Sequence, residues 1–109
     1  LVGVNGAEIK YAILRFPGDQ SGHMIELLHY LRPEGNKVVT RPCDVGHAHF
    51  SFRTDDCRGL YERLSANGVR FVNPPVAIAA GKNKGGYACY VRDPDDFILE
   101  FLQPPATSE

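Results

Sequence analysis

The sequence predicts an α+β fold built from paired βαβββ modules, the first of them incomplete in this chain. Three observations carry that expectation. Residues 46–103 run strand, helix, strand, strand, strand. Residues 7–31 hold two apolar runs joined by a short polar loop, like the closing hairpin of the same unit. Between them, residues 32–45 carry Pro33, Gly35, Asn36 and Pro42 with little apolar content beyond Val38 and Val39, which marks a linker. The expected organisation is the end of a first module at 1–31, a linker at 32–45, a second module at 46–103 and a tail at 104–109.

The chain has 109 residues, 43% hydrophobic and 23% charged, with 12 Lys and Arg against 13 Asp and Glu. That composition suits one ordinary globular domain with a modest core. A net charge of −1, with no basic run, gives no footprint for nucleic acid or an anionic membrane surface. No apolar stretch approaches the roughly 18–20 residues of a membrane span, and no leader pattern opens the chain. A cytoplasmic protein is expected. Cys43, Cys57 and Cys89 are odd in number and widely spaced, which argues for free thiols rather than a disulfide framework or a cysteine zinc site.

In the first half, Ile9, Tyr11 and Ile13 alternate with Ala12, Leu14 and Phe16, so both faces of a strand at 7–16 are apolar. Pro17-Gly18-Asp19 turns the chain, and a second strand at 23–31 pairs back. Residues 1–6 are too few to supply the strand and helix that would precede such a hairpin, so a segment before it is expected to be absent from this chain.

In the second half, residues 47–53 read as a strand, with Ala48, Phe50 and Phe52 on an apolar face and His47, His49, Ser51 and Arg53 on the other. Thr54-Asp55-Asp56 is a helix-start signal, because those side chains accept hydrogen bonds from the unpaired amides of a first turn. Cys57, Leu60, Tyr61 and Leu64 recur at helical spacing, and Asn67-Gly68 supplies the stop. Short runs at 69–72 and 76–80 follow, separated by Pro74-Pro75. Gly81-Lys82-Asn83-Lys84-Gly85-Gly86 lacks phosphate-loop spacing and leads into a strand rather than a helix, so it reads as a loop. Strands at 87–92 and 97–103 flank the turn Asp93-Pro94-Asp95-Asp96.

Glu26 and Glu100 each stand inside an apolar strand. Burying an ionised carboxylate there is costly unless a cation or a set of donors compensates. His49 joins them on a polar strand face. Carboxylate and imidazole together suit Zn²⁺, Ni²⁺, Fe²⁺ or Mn²⁺; solvated strand edges and a hydrogen-bonded core histidine are the competing account.

The stretch Gly46-His47-Ala48-His49-Phe50-Ser51-Phe52-Arg53-Thr54-Asp55-Asp56, followed by Leu60-Tyr61-Glu62-Arg63-Leu64, Asn67-Gly68-Val69-Arg70-Phe71 and the ending 86–100, resembles the second module of the vicinal oxygen chelate superfamily. Glyoxalase I, methylmalonyl-CoA epimerase, extradiol dioxygenases, fosfomycin-resistance enzymes and bleomycin-binding proteins belong to it. The family usually has Gly where this chain has Asp96. The resemblance implies paired modules in a curved mixed sheet around a concave pocket, and a homodimer. It implies one divalent metal ion per site (Zn, Ni, Co, Mn or Fe), with Glu26, His49 and Glu100 as ligands. A further histidine ligand, usual on the first strand of the first module, has no counterpart here. His47 is left as a pocket residue.

The implied activity is that of a glyoxalase-like lyase or isomerase acting on a small substrate with vicinal oxygens, with Glu100 as first choice of general base and Glu26 as second. Two alternatives stay open. An extradiol Fe²⁺ dioxygenase would use His49 and Glu100, with Glu26 a bystander. A non-catalytic binder of the bleomycin-resistance kind would line its pocket with Tyr11, Tyr30, Tyr87 and Tyr90. No motif identifies glutathione.

Overall fold

The computed structural model describes residues 2–107. The chain forms two compact units, Leu1–Val38 and Val39–Glu109. The first is an antiparallel hairpin of β1 (Glu8–Arg15) and β2 (Met24–Arg32), in which Ile13 faces Glu26, Tyr11 faces Leu28 and Leu14 faces Ile25. Its loop is closed by Asp19, which accepts hydrogen bonds from the Ser21 hydroxyl at 2.8 Å and the Ser21 amide at 3.0 Å. These bonds hold the Asp19 carboxyl below the usual carboxylate range.

The second unit contains β3 (Phe50–Arg53), α1 (Cys57–Ala66), β4 (Arg70–Phe71), β5 (Val76–Ala77), β6 (Tyr87–Arg92) and β7 (Ile98–Gln103). Its sheet runs in the order β3-β7-β6-β4, with β5 also on β6. β3 is parallel to β7, and the remaining pairs are antiparallel. The fold is therefore α+β with a mixed sheet, as the patterning predicts.

Local chemistry explains the boundaries. Asp56 caps α1 by accepting from the Gly59 amide at 2.9 Å. The helix ends in a Schellman arrangement: Gly68, at φ +85°, donates its amide to Ser65 O at 3.1 Å, and Val69 donates to Leu64 O at 3.0 Å. β3 is shorter than the expected 47–53, because the chain turns just before it. Asp44 accepts from the Arg41 amide through its carboxylate and from the His47 amide through its carbonyl, so those amides are unavailable to a ladder. β4 and β5 edge the same strand and are separated at Pro74-Pro75, where two residues without N–H groups interrupt the pairing.

The core lies between α1 and one face of the sheet. Phe52 packs on Phe101, Phe101 on Phe71, and Phe71 edge-on against Tyr61 of the helix at 4.8 Å. Cys57, Cys89, Val91 and Ile98 are buried. Asp96 takes φ +67°, the conformation for which Gly is usual, and the turn still closes: Asp93 accepts from the Asp95 and Phe97 amides, each at 2.8 Å, through its carboxylate. No helix among the described residues is long and apolar enough to cross a membrane.

Candidate functional site

β7 has a neighbour on each side, so Glu100 meets one residue of β3 and one of β6 across the ladder. Those residues are Ser51 and Tyr90. Alternation along the strand puts Glu100 on the face opposite the Leu99–Phe101 side packed with aromatic rings. The Ser51 hydroxyl donates to Glu100 Oε1 at 2.7 Å. Glu100 is half-buried, and Oε2 has no hydrogen-bond partner among the described residues. On the other side, His49 stands edge-on to the Tyr90 ring at 5.2 Å. His49, Ser51, Glu100 and Tyr90 are thus gathered on one patch of the sheet.

An open cavity of about 370 Å³ adjoins this patch, lined by Asn73, Val76, Ala88, Cys89, Tyr90 and Glu100. Asn73 precedes the Pro-Pro break and accepts from the Tyr90 amide at 3.3 Å through its side chain, which completes the edge where backbone pairing lapses. The Cys89 thiol is pushed up to about 12 by burial, with the adjacent Cys57 thiol and the Glu100 charge adding to the effect. It is a packing group, not a nucleophile.

His47 stands apart from the other histidines. Its Nδ1 lies 2.9 Å from Thr40 Oγ1, while its Nε2 is buried without a hydrogen-bond partner among the described residues. With Nδ1–H donating to Thr40, the Nε2 lone pair is left without a partner. The sequence reading ranks His49 above His47. That ranking rests on the family's spacing, in which Phe52 falls three residues after His49, and nothing in the spacing reveals the Thr40 contact.

Glu26 lies on β2 of the first unit, exposed, opposite Ile13. No group of three or more His, Cys, Asp or Glu suited to holding a metal occurs among the described residues. Within the second unit, the donor types on the Glu100 patch suit a borderline divalent ion: the His49 imidazole and a carboxylate oxygen left free. Of the four tyrosines considered as pocket lining, Tyr90 lines this cavity. Tyr87 does not line it, and Tyr11 and Tyr30 belong to the hairpin unit. Ser51 and Asn73 are contributors that sequence reasoning did not single out. The Gly81–Gly86 loop spends three of its amides internally, Lys84 on Gly81 O, Gly85 on Ile78 O and Gly86 on Asn83 O.

The hairpin, the β-α-β-β-β-β order of the second unit and this one-sided polar patch define a class. The family model for the Glyoxalase/Bleomycin resistance protein/Dioxygenase superfamily matches residues 4–101, and the chain belongs to that superfamily. Among curated proteins, it is similar to a lactoylglutathione lyase of Arabidopsis thaliana, at 29% identity over 104 residues, or 94% of this chain and 34% of the relative. The chain thus spans about a third of the length of the curated relatives it matches. Among solved structures, a glyoxalase family protein of Bacillus cereus aligns with a TM-score of 0.71 at 18% identity, covering 92% of this chain and 64% of its own. A glyoxalase/bleomycin resistance protein/dioxygenase domain from Frankia aligns at 0.66 with 24% identity, covering 92% and 68%. These two likenesses concern the fold.

Proposed function

We propose that this chain is the catalytic part of a divalent-metal-dependent, glyoxalase-like lyase or isomerase acting on a small substrate with vicinal oxygens. The observation that carries the reading is Glu100: a carboxylate on the wall of a cavity, with one oxygen fixed by Ser51 and the other unpaired. The kinship with lactoylglutathione lyases supports the reaction class.

The chain's own residues divide the work. The apolar wall of Val76, Ala88 and the Tyr90 ring shields the reacting carbon from water. As general base, Glu100 would give up its place as a metal ligand: Oε2, once released, takes a proton from the carbon beside a carbonyl and returns it to the neighbouring carbon, while Ser51 holds Oε1. Within the second unit, His49 and Glu100 are the side chains that would hold the metal. A divalent ion bound there would supply Lewis-acid polarisation of two adjacent substrate oxygens.

The test uses the hemithioacetal of methylglyoxal and glutathione, which the proton shift above converts to S-lactoylglutathione, the compound in the relatives' name. Turnover is expected in the wild type with added Ni²⁺, Zn²⁺ or Co²⁺, with a loss of about 10²–10⁴-fold in Glu100→Ala, the usual contribution of a positioned acid–base group. Glu26→Ala should abolish activity if Glu26 is a ligand and leave it intact in a dioxygenase-type site. Ligand binding that is indifferent to chelator, with no turnover, would replace this reading with that of a binding protein.

A further inference from the structure

The Ser51–Glu100 contact does more than satisfy two polar groups. The two residues are directly opposite on parallel strands, and the pairing continues past them, with the Thr54 amide on Leu102 O at 3.0 Å. Ser51 therefore cannot slide along Glu100. At 2.7 Å, its hydroxyl sits in the range of a strong bond to an ionised carboxylate. On the opposite side, the cross-strand neighbour is Tyr90, whose ring carries His49 on its edge. The carboxylate thus leans toward β3, with Oε1 occupied and Oε2 left to meet a ligand.

We infer that Ser51 is a positioning residue that makes Glu100 a one-oxygen donor, so that the site takes a small borderline cation rather than a large hard one. This rests on the proposed metal-dependent function. A two-oxygen carboxylate grip is common for Ca²⁺, which takes many oxygens at long range, whereas Zn²⁺ and its neighbours take few donors at about 2.0–2.2 Å. Removing the hydroxyl releases Oε1, frees the carboxylate to rotate, and weakens the single aimed bond. Partners that orient a ligand in this way typically account for about 10–100-fold in metal affinity.

The experiment is a Co²⁺ titration followed by visible absorption, with a parallel Ca²⁺ competition. It uses the wild type, Ser51→Ala and the matched pair Ser51→Thr and Ser51→Val. Thr and Val have nearly the same shape and differ in the hydroxyl, so the pair remains informative even if the alanine variant folds poorly. Ser51→Val is expected to bind Co²⁺ about 10–100-fold more weakly, with a shifted absorption band and a smaller preference over Ca²⁺. Ser51→Thr should keep the wild-type affinity and band. Equal affinity in wild type and Ser51→Val would overturn the inference while leaving the metal-dependent function standing. Equal loss in the Thr and Val variants would also overturn it, because shape and not the hydroxyl would then be responsible. A wild type that binds no Co²⁺ would overturn both this inference and the function it rests on.

Discussion

Cys57 and Cys89 bring two sulfurs to 3.6 Å inside the sheet–helix core, and there they act as small apolar groups. Burial raises the Cys89 thiol from 9.0 to about 12, so the folded state keeps a proton that the unfolded chain gives up. The resulting stability is fully present below about pH 9 and is lost as pH climbs toward the folded value. Urea midpoints should therefore fall between pH 9 and pH 11, and fall less steeply in Cys89→Ala. Cys43 is exposed, whereas Cys57 and Cys89 are buried, so a thiol reagent should label Cys43 at once and the other two only on unfolding. The free-thiol reading of the sequence is consistent with this burial pattern. Asp44 adds an acid-side effect. The Arg41 amide and guanidinium hold its carboxyl low, and the turn leading to His47 gains stability that is present above the usual carboxylate range and lost as pH falls through the lowered value.

At the level of elements, α1 was the most legible part of the sequence. The Asp56 cap, the apolar stripe and the Asn67-Gly68 stop are each local signals, and each does locally what its chemistry predicts. Asp56→Ala should cost about 1 kcal/mol and Asp56→Asn much less; thermal melts would read a fall of about 4–8 °C for the alanine variant. Gly86 is a different case. A side chain there would run into the Gln103 carbonyl, across the β6–β7 pair, so Gly86→Ala should lower the melting temperature more than a surface substitution does. The beginning of β3 was less legible. Alternation of His47, Ala48 and His49 imitates a strand, and only the three-residue hydrogen bonds joining Arg41, Asp44 and His47 show that the chain has not yet straightened. The split between β4 and β5 could be read from Pro74-Pro75, but the repair of that edge by Asn73 could not.

At the scale of the whole molecule, the second unit carries its own helix and sheet, and the first is a two-stranded ribbon with apolar side chains on both faces. Tyr11 is 68% exposed, Leu27 53% and Leu28 44%. A two-stranded hairpin is marginal in water by itself, and apolar surface of this kind calls for cover. We expect a second copy to provide it. Light scattering behind size exclusion should give twice the 12.0 kDa chain mass across micromolar concentrations, and a monomer throughout would rule the homodimer out. Glu100 was visible from sequence because an acid inside an apolar strand asks for an explanation, and the cavity beside it fits that demand. The Thr40–His47 contact was not visible, since it joins residues seven apart that meet only after folding. The central claim is a metal site built on Glu100. Its most direct test is the metal content of wild type beside Glu100→Ala, by elemental mass spectrometry after exchange into chelator-free buffer containing Ni²⁺, Zn²⁺ or Co²⁺. The account predicts about one divalent ion per site in the wild type and its loss in the variant, as expected when a charged ligand is removed. Equal metal in both proteins, or none in either, would contradict it.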